Sequence, residues 1–375
     1  MKEIYKNLIP IPNRKSIFFS NLLKKKILNK IVSCKKKNIS FTKYLNYVLY
    51  HKKYGYYNNT LQKFGKKGDF ITAPEISKLF GQCLAFHFSK IIGNEYCLLE
   101  IGAGSGKLAV SIIEELHKMN IKIKKYYILE LSIFLRNQQI KNISDYSKLI
   151  FKQVEWIVDF PKRFNGIILA NELLDALPFN LVQLGNSHIY EVFVTQYNNT
   201  FYLTKEKTKK SKLKNLIKEN IPYNIINSKL VYQTEVNMTI EPFFNSLNQC
   251  LNNGYMFFID YGFLKDELYH EERNMGTFMC HYRHFKHNNP FFFPGLQDIT
   301  YHVDFTHLKK IANKNNLRIT GYSNQSDFLI SSNLNNIFLR ESKNNSAFYN
   351  LNKEVFLLTS PNEMGSLFKV IEIKK

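Results

Sequence analysis

Three stretches of this sequence hold residue types and spacings that could do chemistry. The first reads Glu100-Ile101-Gly102-Ala103-Gly104-Ser105-Gly106-Lys107. An apolar run leads in and a helical pattern leads out, so the glycines mark a turn where backbone can approach a ligand closely. Three readings compete. A Walker loop requires Ser or Thr after its lysine, and Leu108 follows Lys107, which excludes it. A dinucleotide fingerprint sets its third glycine one residue later, over a pyrophosphate. The spacing here, with Glu100 two residues before the first glycine, suits S-adenosyl-L-methionine, which has no phosphate and carries a cationic sulfonium and an amino-acid end. A glycine turn without any ligand is the bland alternative. The second stretch, Tyr127-Ile128-Leu129-Glu130, ends on an acid where a nucleoside-binding sheet meets ribose hydroxyls. Glu130 serves NAD no better than S-adenosyl-L-methionine, and its alternative is a strand-end carboxylate in solvent.

The third stretch is Ala170-Asn171-Glu172-Leu173-Leu174-Asp175-Ala176-Leu177-Pro178. It follows a strand at the carboxyl edge of the expected sheet, where this architecture puts substrate-facing groups. Glu172 and Asp175 stand three apart, so one turn could aim both at a cleft, with Asn171 beside them. Two carboxylates can grip a guanidinium in bidentate fashion, orient one nitrogen and stabilise its charge through methylation. Alternatively, Asp175 only caps a turn. Upstream, in Gly68-Asp69-Phe70-Ile71-Thr72-Ala73-Pro74-Glu75, Thr72 and Pro74 are expected to fold over the cofactor's exposed side. His281, His284 and His287 recur every three residues, not the four of a helical metal pair, so no metal is expected. Asp298, His302 and Asp304 are candidate substrate contacts, or else ties within a loop.

These groups need positioning elements. Residues 1–50 read as helical, with Ser40 as a cap for the run Phe41, Leu45, Val48 and Leu49. Cys97–Ile101, Tyr126–Leu129, Leu149–Val154 and Gly166–Ala170 read as strands alternating with helices, which argues for a parallel, doubly wound sheet. Trp156 is expected just after the third of these. Residues 181–203 form short amphipathic runs with Gly185-Asn186 and Asn198-Asn199 turns, an antiparallel insertion. A helix carrying Leu247 and Leu251 feeds the strand Tyr255–Asp260. Residues 263–300 show no periodicity and read as a long functional loop, a lid. A helix near 305–314 and strands near 317–322 and 368–373 close the chain.

Composition bounds the class. With 375 residues and 45% hydrophobic content the chain can bury a large core. No apolar run is long enough for a membrane span, and no targeting segment is evident. The five cysteines are dispersed without a CxxC pair, which excludes a disulfide scaffold and points to a reducing compartment, taken as the cytoplasm. The net charge of +22 suggests a nucleic-acid partner. Only seven arginines contribute, and arginine is the residue that best reads bases, so the charge is read as compositional drift rather than as a functional basic surface, and nucleic acid as the less favoured partner. The oligomeric state stays open, a homodimer included.

Taken in order, these residues resemble the MidA family of methyltransferases, whose mitochondrial members are respiratory complex I assembly factors. The matches are Phe41–Tyr57, Gly68–Gly81, Leu99–Leu108, Glu130–Ser132 with Gln138, Ala170–Pro178, Ile259–Gly262, His281–Phe305, Gln325–Leu329 and Glu363–Val370. Lys52 or Lys53 stands where a proline is common, and Ala103 and Ser105 where many relatives carry proline and arginine; neither change touches an atom the chemistry requires. The resemblance implies a Rossmann-like class I fold dependent on S-adenosyl-L-methionine, and dimethylation of a protein arginine. The expected organisation is a helical segment and covering loop (1–95), a cofactor-binding core (96–180), the antiparallel insertion (181–240), the core resumed (241–262), the lid (263–304) and the closing part of the core (305–375). Methylation of RNA or a small molecule is the first alternative. A non-catalytic assembly module that keeps the cofactor pocket is the second.

Overall fold

The computed structural model describes residues 9–59, 72–93, 96–343 and 345–375. The Gly68–Ile71 part of the expected covering segment lies outside the described residues. Two compact units interleave along the chain. One comprises residues 1–70, 175–242 and 263–307, and the other 71–174, 243–262 and 308–375.

The second unit is built on a sheet that includes β1 (Cys97–Ile101), β2 (Tyr126–Leu129), β3 (Val154–Ile157), β4 (Phe164–Asn171), β5 (Leu251–Phe263), β6 (Arg318–Asn324) and β7 (Phe368–Lys374). They lie in the order β3-β2-β1-β4-β5-β7-β6. The first five are parallel, in the doubly wound order with its switch point between β1 and β4. β7 runs antiparallel to both β5 and β6. The expected α/β class is the observed one. β1 and β5 are near-continuous apolar runs because helices cover both faces of such a sheet. The helix Lys107–Lys118 buries Leu108, Ile112, Ile113 and Leu116 at helical spacing, and Lys78–Ser89 buries Leu79, Phe80, Cys83, Leu84 and Phe88 in the same core. Four further helices follow β6: Gln325–Ser331, Leu334–Glu341, Asn345–Thr359 and Met364–Leu367.

Two expectations shift here. Lys148–Phe151 is a short helix capped by Ser147, so the strand starts at Val154 and contains Trp156. Leu251 opens β5; it does not belong to the preceding helix, Ile240–Cys250.

The first unit holds the helices Arg14–Ser33 and Phe41–Tyr50. The Ser40 side chain accepts from Lys43 N, the cap expected of it. Beside them an antiparallel sheet orders Tyr232–Val236, Asn180–Gly185, His188–Tyr197 and Asn38–Ser40, with Thr200–Lys207 also paired to His188–Tyr197. Its core gathers Leu23, Ile27, Phe41, Tyr44, Phe179, Val194 and Tyr301. Residues 263–300 are not a structureless loop: Met279–Tyr282, Phe285–His287 and Asp298–Thr300 form a three-stranded antiparallel sheet. Arg283 and His284 turn its hairpin with φ of 47° and 67°, the pair of left-handed residues that a two-residue hairpin needs. Among the described residues no helix is long and apolar enough to cross a membrane.

Candidate active site

The glycine turn opens where β1 ends. Gly102, Gly104 and Gly106 have φ of 73°, 54° and 87°, a region open to glycine and disfavoured for side-chain-bearing residues. Gly106 is also the left-handed N-cap of the helix Lys107–Lys118. The result is a turn with little side chain of its own at the carboxyl edge of the sheet, with Leu173 and Ile143 packing where Cβ atoms of Gly102 and Gly106 would stand. Ordinary contacts lock the turn from three sides. Gln139, fully buried on the helix Ile133–Tyr146, donates through Nε2 to Gly104 O at 3.0 Å and to Glu130 Oε2 at 3.0 Å. Its Oε1 accepts from Trp156 Nε1 at 3.0 Å, so Trp156 has a polar tie within the core. Asn142 donates to Ser105 O. Glu75, in the short helix Ala73–Ile76 that Thr72 caps, accepts from the Ser105 hydroxyl and pairs with Lys107 Nζ at 2.7 Å. Thr72 and Pro74 are thereby joined to the glycine turn through Glu75.

The two acids differ in their surroundings. Glu100 is 2% exposed and accepts from the Tyr126 hydroxyl at 2.8 Å. Burial pushes its carboxyl up to about 7; the Tyr126 bond opposes the shift and the charge of Glu130 adds to it. Glu130, also buried, accepts from Ser132 N at 2.8 Å as well as from Gln139.

The end of β4 adjoins this turn. Asn171 pairs with Ile259 of β5, and the next amide, Glu172 N, donates to Ile259 O at 2.8 Å. Glu172 then takes φ of 50°. The Asn171 side chain donates to Glu172 Oε1 at 3.3 Å. Leu173 packs onto the glycine turn, its Cδ1 lying 3.2 Å from where a Gly102 Cβ would be. Asp260, at the carboxyl end of β5, accepts from Leu173 N and Leu174 N. Asp175 belongs to the first unit, is buried, and adds its charge to that of Asp298 in raising the Tyr57 hydroxyl, where burial is the main cause.

The sequence reading did not find Gln139, Glu75 or Asp260 as site residues. Gln139 has partners 9, 17 and 35 positions away, and Glu75, at the end of the Gly68–Glu75 stretch, has partners 30 and 32 away, so neither role shows in local sequence. Asp260 stands in the Ile259–Gly262 motif and could have been found there. The other candidates have structural partners inside the first unit. Asp298 accepts from the Tyr57 hydroxyl at 2.9 Å through both oxygens. Asp304 accepts from the Tyr269 hydroxyl and from His307 N, a bond across the start of the helix Phe305–Lys314. His281 and His287 lie on the strands of the small hairpin and His284 in its turn; burial lowers His281 to about 4. Among the described residues no group of three or more His, Cys, Asp or Glu side chains could hold a metal ion.

Comparison with known proteins accords with this geometry. The model of an S-adenosyl-L-methionine-dependent methyltransferase family matches residues 83–323. A Burkholderia thailandensis protein, crystallised with S-adenosyl-homocysteine, is 32% identical and superposes with a TM-score of 0.91 over 98% of this chain and 95% of its own. The mitochondrial protein arginine methyltransferase NDUFAF7 homolog of Caenorhabditis elegans is 29% identical over 74% of this chain and 68% of its own. The Drosophila melanogaster homolog is 25% identical over 89% and 80%. The glycine turn, the acids at the ends of β1 and β2, and the five parallel strands all lie within the matched residues 83–323, and the chain belongs to the MidA family of class I S-adenosyl-L-methionine-dependent methyltransferases.

Proposed function

We propose that this methyltransferase modifies a guanidinium nitrogen of an arginine in a protein. The observation that carries the reading is Glu172, an acid in left-handed backbone at the carboxyl end of β4, followed by a leucine that rests on the glycine turn. The names of the Caenorhabditis and Drosophila relatives support the same acceptor. S-adenosyl-L-methionine, when bound, supplies a methyl carbon made electrophilic by its sulfonium. The turn fits such a ligand: Gly102, Gly104 and Gly106 leave the backbone bare, and the buried Glu100 and Glu130 offer carboxylates, not phosphate-binding cations, to a cationic group and to ribose hydroxyls. Thr72 and Pro74 are proposed to cover it, held by the Glu75 ties to Ser105 and Lys107.

At the acceptor, the Glu172 carboxylate is proposed to orient one guanidinium nitrogen, with Asn171 steadying its Oε1. Asp175 is proposed as the second acid on its spacing in the chain. A guanidinium stays cationic at neutral pH, so aligning its nitrogen and stabilising its charge matter more than strong base catalysis. The attacking nitrogen sheds one proton, which Glu172 is proposed to take. The five cysteines, none in a disulfide, support a reducing compartment, proposed as the cytoplasm, although the curated relatives bear mitochondrial names. Incubation of the protein with lysate and S-adenosyl-L-methionine carrying a labelled methyl tests the acceptor. Mass spectrometry should locate the label on arginine. Label confined to RNA, which the charge of +22 would favour, or to small molecules would refute the proposal, and no transfer at all would leave an assembly module.

A further inference from the structure

We infer that Asp260 is a positioning residue that holds Glu172 in its left-handed conformation and so aims its carboxylate, an inference that rests on the role proposed for Glu172. Asp260 is 1% exposed. Its Oδ2 accepts from Leu173 N at 3.1 Å and from Leu174 N at 2.8 Å, and its Oδ1 from Tyr261 N at 3.0 Å. Two successive amides turned on one anion form a nest, a concavity made by backbone in the turn or left-handed region. In a phosphate-binding loop the anion comes from a ligand. Here the chain supplies its own, from the neighbouring strand.

Glu172 is therefore fixed on both sides by β5. Its amide continues the β4–β5 ladder to Ile259 O, and the two amides after it are held by the side chain of Asp260. Left-handed backbone is disfavoured for a residue with a Cβ, and it persists only where the surroundings over-determine it. Remove the anion and the Leu173 and Leu174 amides lose their acceptor, which buried amides do not tolerate. The turn would then relax and swing the Glu172 Cβ to a new direction. A turn needing only this shape would be served better by glycine at position 172. That a carboxylate occupies it points to an acid whose direction matters.

Asp260→Asn keeps one accepting oxygen and removes the charge. Labelled methyl transfer into lysate proteins should slow about tenfold, as for a misaimed catalytic group, while S-adenosyl-L-methionine affinity stays within about threefold. Hydrogen exchange at the Leu173 and Leu174 amides should quicken, a readout independent of activity. The Asp260→Asn/Glu172→Gln double variant should transfer no more slowly than Glu172→Gln alone, because Asp260 acts through that residue. Multiplying losses, or unchanged exchange at the two amides, overturns the inference. If Glu172→Gln is impaired and Asp260→Asn is fully active, this inference fails alone; full activity of Glu172→Gln removes the proposed role of Glu172 beneath it. Should Asp260→Asn not fold, Asp260→Glu displaces the carboxylate while keeping its charge, and the same loss and the same non-additivity are expected.

Discussion

Glu172 sits at φ of 50°, a region few residues with a side chain occupy, beside a turn that only glycines could form comfortably. Strain of this kind gathers at working sites, and three substitutions test the roles proposed there. Glu172→Gln preserves size and removes charge. Turnover should fall about a hundredfold with cofactor affinity intact, the usual loss for one preorganised electrostatic contact, read by single-turnover transfer and titration calorimetry. Asp175→Asn should match it if both acids hold the acceptor and change little if Asp175 merely shapes its turn. Gly104→Val forces a β-branched residue to φ of 54°, and calorimetry should find S-adenosyl-L-methionine binding lost while circular dichroism retains the sheet. Glu100 adds a pH signature. Its carboxyl, raised to about 7 by burial, is neutral in the folded protein over a range where the unfolded chain ionises near 4.5. Its contribution to stability is thus complete below about pH 4.5 and lost as pH climbs through 7, a change on the order of 3 kcal/mol. Thermal melts of Glu100→Gln should decline less than wild type between those limits; parallel curves would show that Glu100 is not the group responsible.

At the scale of elements, the helix Leu334–Glu341 is tied to the two helices that back the sheet. Arg340 grips the buried Glu115 with bonds of 2.7 and 2.6 Å, and Glu341 accepts from Gln82 and pairs with Lys78 and Lys118. Arg340→Ala leaves the buried Glu115 with the Gln82 amide but without its guanidinium partner. Denaturant unfolding should report about 2–3 kcal/mol lost, below the 3–5 of fully buried pairs because Arg340 is 40% exposed. Arg340→Lys should recover only part, having no bidentate fork. None of this was legible in the sequence, where the C-terminal helices lacked a distinctive period. β1, β2, β4 and the glycine turn were legible because apolar run, turn chemistry and helix pattern agree there. The third strand was misplaced because Leu149-Ile150-Phe151 reads equally as a buried strand; Ser147, capping a helical turn, decides it. The sheet within 263–300 escaped notice because its strands span three or four residues and its turn, Arg283-His284, contains neither Gly nor Asn. At the candidate site, the places of the glycines, Glu130 and Glu172 at strand ends could be read from the chain, while the ties of Gln139 and Glu75 to the glycine turn span distances that only the fold closes.

For the molecule as a whole, a charge of +22 dominated by lysine implies loose attraction to any polyanion. Retention on RNA should be visible near 50 mM salt and largely gone by about 200 mM, with methyl transfer to protein unaffected; RNA binding that survives such salt would instead argue for a nucleic-acid substrate. The antiparallel place of β7 reaches further. Phe368–Lys374 lies between β5 and β6, pairing Tyr255–Tyr261 on one side and Arg318–Asn324 on the other. On the ribosome it is made about a hundred residues after the partner it covers in β5. Until then the growing polypeptide carries Tyr255-Met256-Phe257-Phe258-Ile259 as an apolar strand with one edge unpaired, a template for the wrong neighbour. Biogenesis of this enzyme therefore passes through an interval in which a chaperone, or speed, must guard that edge.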